Sequence, residues 1–270
     1  MRRFPVWSWL WVALGALYFI LPLYGTLDFS LRLKRGVISL AAYQNVLADP
    51  EFLRTFAYSN KMAVITIIAS LLLVIPTAYW VHLRLPQLRS LVEFITLLPF
   101  VIPAIVLVFG LIRNYGRPVM LGPLMILPPL TNSSLGTDFL LVGGYVVLSL
   151  PYMYRAVDNG LRAIDVRTLT EAGQSLGAGP ARILWSVIFP NLRTALVSGA
   201  FLTFAIVVGE LTLATFLDRP AFGPYLWLLG QHRAYEPAAL SLVSFGLTWV
   251  AMGVIQLLTR GRAGGAVAVH

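Results

Sequence analysis

The chain has 270 residues, 58% of them hydrophobic and 11% charged, with a mean hydropathy of +0.80 and a net charge of +9. A soluble domain carries about 25% charged residues, so this composition excludes a water-soluble globular protein and predicts an all-α polytopic membrane protein. The absence of cysteine excludes disulfides, thiolate metal sites and cysteine nucleophiles. The arginines lie mostly between apolar blocks, where they suit anionic headgroups and topology control rather than nucleic acid.

A spanning helix needs about 20 mostly apolar residues, and six segments qualify: 7–27, 62–81, 91–112, 139–154, 195–216 and 238–258. The first follows Arg2 and Arg3 and carries Trp7, Trp9 and Trp11 as an interfacial belt; its apolar stretch is too long for a signal peptide and lacks a small-residue cleavage site. A long loop, 28–60, with an amphipathic stretch at 40–53, separates the first two spans. The loop 113–137 holds Pro118, Pro123, Pro128 and Pro129 and is predicted to form short re-entrant or surface pieces rather than a regular helix. A third loop covers 218–237, and the tail 261–270, rich in small residues, is predicted to be mobile. Residues 1–260 are read as one transmembrane domain, with no internal repeat. Six spans put both termini on one side. Lys and Arg divide roughly 11 to 9 between the two sides, and the N-terminus with the short loop 82–90 assigns the termini to the cytoplasm.

The informative segment is the cytoplasmic loop 163–190. Thr168 with Glu171 as a capping box, or Asp165 as N-cap, starts a short helix. That helix runs to Leu176 and stops at Gly177, where glycine suits a left-handed C-terminal position. Pro180 starts a second helix whose apolar run reaches Phe189 before Pro190. Leu169, Ala172 and Leu176 share a face by helical spacing, and such a face needs something to pack against.

This loop resembles the one that marks the permease subunits of binding-protein-dependent ABC importers, in the spermidine/putrescine, ferric-iron and 2-aminoethylphosphonate branch. The family pattern is Glu-Ala-Ala, three residues, Gly, nine residues, Ile, one residue, Leu-Pro. Glu171, Ala172, Gly177 and Pro190 match it, while Gly173, Val187 and Phe189 depart mildly. Gly173 in place of Ala is expected to loosen the helix by about 1 kcal/mol. Further pieces follow in the family's order across 38–258: Leu40 to Tyr43 through Phe52 and Asn60, Leu98-Pro99-Phe100 with Ile102-Pro103, Leu150-Pro151-Tyr152, Asp165, Leu176-Gly177-Ala178, and Phe204 through Gly209-Glu210.

The resemblance implies a type I importer permease fold in a bacterial or archaeal cytoplasmic membrane. The chain would be non-catalytic and hold no cofactor, with ATP and Mg on a separate ATPase chain. Its partners would be ATP-binding subunits, a second permease subunit (another chain or a copy) and an extracytoplasmic substrate-binding protein. Asp165, Glu171, Ala172, Leu176, Gly177 and Pro190 would form the ATPase-coupling site. Glu171 would pair with an arginine of the ATPase, and Ala172 and Gly177 would allow close approach.

Glu210, beside Gly209 in the fifth span, either lines the outer half of a substrate path, or pairs with another span, or lies near enough to the outer surface to be solvated. The first reading favours a cationic substrate such as a polyamine. Tyr152 and Phe204, with Tyr154 and Phe201, either line a gate or pack. Lys61 and Glu93 sit at span edges and snorkel, and Asp158 pairs with Arg155 or Arg162 at helix spacing. Enzymatic readings fail: there is no phosphate-binding Gly-x-x-x-x-Gly-Lys-Ser/Thr loop, and His82, His232 and His270 are too scattered for a metal site. The alternative is a self-sufficient secondary carrier or channel, against which the lack of a repeat and the scarcity of intramembrane charge both argue.

Overall fold

The computed structural model describes residues 6–34, 36–121 and 124–260. The tail 261–270 lies outside them, as do Arg2, Arg3, Arg35 and Arg262. The architecture is helical. Three helices are long and apolar enough to cross a membrane, or five if each of two bent pairs counts as one span, among the described residues. They are α1 (Val6–Ser30), α3 (Pro50–Leu83) and α6 (Ser134–Arg162). The last helix, α13 (Glu236–Arg260), has 25 residues, or about 37 Å at 1.5 Å per residue.

The chain divides into two compact units, Met1–Leu53 with Tyr225–Ala251, and Arg54–Pro224 with Met252–His270. In the first, α1 is apolar around its whole circumference and its spanning window is fully exposed, the signature of a helix meant for lipid or another protein. The short α2 (Ala41–Leu47) buries Ala42 and Val46. The Ser30 and Tyr43 hydroxyls share a hydrogen bond of 2.7 Å, and Phe29 stacks on Tyr235 at 4.7 Å. Tyr225 donates to Asp49 Oδ2 at 2.8 Å, and Asn45 donates to the buried Glu236 at 3.2 Å.

The second unit holds most of α3, then α4 (Arg89–Leu97), α5 (Ala104–Tyr115), α6, α7 (Val166–Ser175), α8 (Pro180–Ile183), α9 (Phe189–Asn191), α10 (Arg193–Gly209) and α11 (Thr212–Phe216). The helix α12 (Phe222–His232) runs on into the first unit. The core of the second unit joins Ile75 and Tyr79 of α3, Met153 and Val157 of α6, Ile183 of α8 and Leu196 of α10. Helix α10 packs extensively along α6.

Several predicted boundaries change. The span predicted at 91–112 is two helices: Pro99 and Pro103 supply no N–H, a 3-10 turn occupies Leu98–Phe100, and the axes bend by 101°. The span predicted at 139–154 extends to Arg162, so Arg155, Asp158 and Arg162 ride on a helix rather than a loop. The long first loop is shorter than predicted, because α3 starts at Pro50. The loop 218–237 contains the helix α12, whose apolar stretch is too short to read as a span. In 113–137 the short pieces are an antiparallel hairpin, β1 (Val119–Leu121) with β2 (Leu124–Leu127), followed by a 3-10 turn. Among the described residues this hairpin is the exception to the all-α reading.

Candidate functional site

The segment between α6 and α10 folds into the two short helices its sequence predicts. Asp165 is the N-cap of α7: Oδ1 accepts from the Thr168 N–H at 3.0 Å and Oδ2 from the Thr168 hydroxyl at 2.7 Å. These hydrogen bonds hold the Asp165 carboxyl below the usual carboxylate range. A capping box of Thr168 with Glu171 does not form, because Thr168 is already spent on Asp165. Glu171 instead accepts from Arg167 Nε at 2.9 Å in an exposed pair one helical turn long. Its carboxylate raises the Arg167 guanidinium above its ordinary value.

The C-terminus of α7 closes as a Schellman motif. Gly177 sits at φ +77°, its N–H bonds the Gln174 carbonyl at 2.9 Å, and the Ala178 N–H bonds the Gly173 carbonyl at 3.0 Å. The chain then turns into α8, passes a π-helical turn at Leu184–Ile188 and reaches α9. The Phe189 N–H reaches back to the Leu184 carbonyl, a widening that falls where Pro190 withholds its own N–H. The Pro180–Asn191 run meets α10 at 80°.

Two faces of α7 have different fates. Val166, Thr170 and Gly173 are buried. The Thr170 hydroxyl shares a buried 3.0 Å hydrogen bond with the Tyr79 hydroxyl of α3. A Cβ at position 173 would lie 2.9 Å from Ile183 Cγ1. Leu169 is half-buried against the same core. Glu171, Ala172 and Leu176 are exposed, Leu176 to 88%. The face predicted from Leu169, Ala172 and Leu176 is therefore split: its first member joins the core and the other two stand clear. A cavity of about 640 Å³ opens beside α7, lined among others by Arg84, Arg162, Asp165, Arg167 and Glu171.

A charge network under this loop is the part the sequence hid. Asp158 is buried and accepts from His82 Nε2 at 2.6 Å and from Arg162 at 2.7 Å, with Arg89 at 3.5 Å. Glu93 bonds Arg89 at 3.0 Å and Arg162 at 3.4 Å. The pairs Arg89–Glu93 and Asp158–Arg162 have helical spacing and are legible in the sequence. His82 and the cross-links between α3, α4 and α6 depend on tertiary structure.

The remaining candidates lie apart from the loop. Tyr152 packs edge-on against Phe100 at 5.4 Å, and Phe204 is half-buried in α10. Glu210 interrupts the fifth span with extended backbone (φ −76°, ψ 129°). Its carboxylate caps α11: Oε1 accepts from the N–H groups of Thr212 and Leu213 at 2.7 and 3.0 Å, and Oε2 from those of Leu213 and Ala214 at 2.9 and 3.4 Å. Both oxygens thus serve the backbone of the break.

Residues 75–262 match the family described as "Binding-protein-dependent transport system inner membrane component". The molybdenum transport system permease protein ModB of Azotobacter vinelandii is 32% identical over 154 residues, 56% of this chain and 66% of that protein. The spermidine/putrescine transport system permease protein PotB of Haemophilus influenzae is 26% identical over 183 residues, 67% of this chain and 63% of that protein. The chain thus spans slightly less than two thirds of the length of each of these relatives. Its fold is shared with a chain in the crystal structure of a bacterial ABC transporter involved in the import of the acidic polysaccharide alginate: TM-score 0.67 at 18% identity, covering 94% of this chain and 95% of that one. The match extends from the end of α3 through the capped loop and both bent pairs to α13, and on it this chain belongs to the binding-protein-dependent transport system inner membrane component family.

Proposed function

We propose that this chain is the membrane-spanning permease subunit of an ATP-driven importer. It performs no catalysis of its own, forms part of the translocation path, and couples through the 163–190 loop to a separate ATP-binding subunit. A second permease subunit and an extracytoplasmic substrate-binding protein complete the assembly. Both termini and the loop face the cytoplasm, where ATP is available to the motor.

The observation that carries this reading is the division of α7. Its inner face is locked into the core by Thr170, Gly173 and Ile183, while Glu171, Ala172 and Leu176 project from a helix closed rigidly at both ends. A partner pressing on that outer face moves the core of α3 and α6 with it, a rigid-body change rather than chemistry. Asp165 and Gly177 close α7 at its two ends, and Pro190 sits past the π-helical turn in α9; Glu171, Ala172 and Leu176 are the surface α7 offers. The substrate is a small polar solute. A polyamine is supported by the likeness to the spermidine/putrescine permease alone, since the Glu210 carboxylate is committed to the α11 cap.

The test is co-purification with the cognate ATP-binding subunit and uptake by the reconstituted complex. Exchanging the two exposed side chains, Glu171→Arg with Leu176→Asp, should weaken ATPase association by about tenfold or more, about 1.4 kcal/mol, and abolish uptake, with the chain still folded in the membrane. Full association and uptake by that variant would refute the docking surface. Uptake by this chain alone in liposomes, driven by an ion gradient, would identify a self-sufficient carrier instead.

A further inference from the structure

A second cavity, of about 340 Å³, shares Arg162 with the one beside α7. It is lined by Glu93, Thr96 and Leu97 of α4 and by Tyr154, Arg155, Asp158, Asn159 and Arg162 of α6. Tyr154 is only 3% exposed, and its hydroxyl has no hydrogen-bond partner. Tyr154 shares the lining with the charged side chains of Glu93, Arg155, Asp158 and Arg162. A buried hydroxyl without a partner is uncommon in a folded protein and calls for something to bond.

The donors and acceptors here are unequal. Asp158 is engaged by His82, Arg162 and Arg89, and Glu93 by Arg89 and Arg162. Arg155 lines the cavity and has no ion-pair partner among the described residues. The Asn159 side chain is likewise unspent. Two arginines (155 and 162) and two carboxylates (93 and 158) line the cavity, and Arg89, outside the lining, bonds both carboxylates, so the Arg155 charge is the one left unneutralised. The donors without a partner are therefore a guanidinium, a phenol and an amide, all on residues that line the cavity. Position matters too: Tyr154 to Arg162 is about 12 Å of helix, ending where α6 gives way to the loop. On the proposed topology that end of α6 meets the cytoplasmic interface, which water and lipid headgroups both reach.

We propose that this cavity binds a phosphate-type oxyanion, free or carried on a lipid headgroup, held by the Arg155 guanidinium, the Tyr154 hydroxyl and the Asn159 amide. A guanidinium grips such an anion with two parallel hydrogen bonds, and the Tyr154 hydroxyl gains the acceptor it lacks. The role goes beyond import itself and does not depend on which solute is carried.

The experiment uses the full chain, purified and delipidated in detergent, titrated with inorganic phosphate and followed by thermal shift. In parallel, native mass spectrometry follows retention of lipid from vesicles of phosphatidylcholine alone or mixed with phosphatidylglycerol. Stabilisation by phosphate that weakens about tenfold in both Arg155→Gln and Tyr154→Phe supports a free oxyanion. Retention of phosphatidylglycerol but not phosphatidylcholine, lost in Arg155→Gln, supports a headgroup. If neither ligand distinguishes wild type from Arg155→Gln, the proposal fails. Arg155 is exposed, so its variant decides the matter even should Tyr154→Phe fold poorly.

Discussion

Gly173 shows how a single residue departs from its family pattern for a packing reason. By helix propensity an alanine here should gain about 1 kcal/mol. The fold removes that gain, because the added methyl would press on Ile183 Cγ1 at 2.9 Å and Cδ1 at 3.2 Å inside a fully buried contact. Overpacking of this kind costs about 1–3 kcal/mol. Gly173→Ala should therefore lower the melting temperature of the purified chain by about 2–4 °C rather than raise it. A rise on thermal unfolding would show that the contact yields. At this scale the sequence is a good guide where the chemistry is local. Gly177 in a left-handed turn and Asp165 as a cap follow from residue type and spacing. The Thr168–Glu171 box fails because two local partners compete for one donor, and a pattern cannot rank them.

Helices meet through their smallest residues. A Cβ at Gly160 of α6 would lie 2.7 Å from the Ala195 Cβ, and one at Gly199 of α10 would lie 2.8 Å from Met153 Sδ. In a bilayer, where apolar side chains gain little from leaving lipid, such close approach is a main source of helix association. Gly143 sits on the open side of α6, with nothing within 4 Å of where a Cβ would be. Gly160→Leu should cost about 1–3 kcal/mol by forcing α6 and α10 apart, whereas Gly143→Leu meets open space and should lose nothing, gaining up to about 1 kcal/mol from helix propensity. Equal losses in detergent unfolding would mean that the α6–α10 seam is not the source of stability. Hydropathy finds such elements but not their breaks. A window average sees 91–112 as one apolar run, yet two prolines bend it by 101°. It also ends the fourth span at Tyr154, because the charges beyond look like a loop. They are affordable on a helix only because His82, Arg89 and Glu93 come from elsewhere to meet Asp158 and Arg162.

For the molecule as a whole, composition pointed to the membrane and the ordered motifs to the family that the match over 75–262 shows, while the charge network and the cavity beside Tyr154 needed coordinates. Those features join positions as far apart as 82 and 158 in sequence, and no local pattern reports them. Sidedness has a direct test, since the chain contains no cysteine. Single replacements Ser175→Cys in the loop and Arg117→Cys before the hairpin should react with a membrane-impermeant maleimide from opposite faces, Ser175→Cys only in inverted vesicles. Labelling of both from one face would overturn the assigned topology. One last feature bears on how movement crosses the bilayer. With the amides of Thr212, Leu213 and Ala214 all held by one carboxylate, α11 can part from Glu210 only by giving up its own cap. The corner from Glu210 into α11 is therefore one stiff piece, and bending of the broken span falls to Gly209, where nothing lies within 4 Å of a Cβ position.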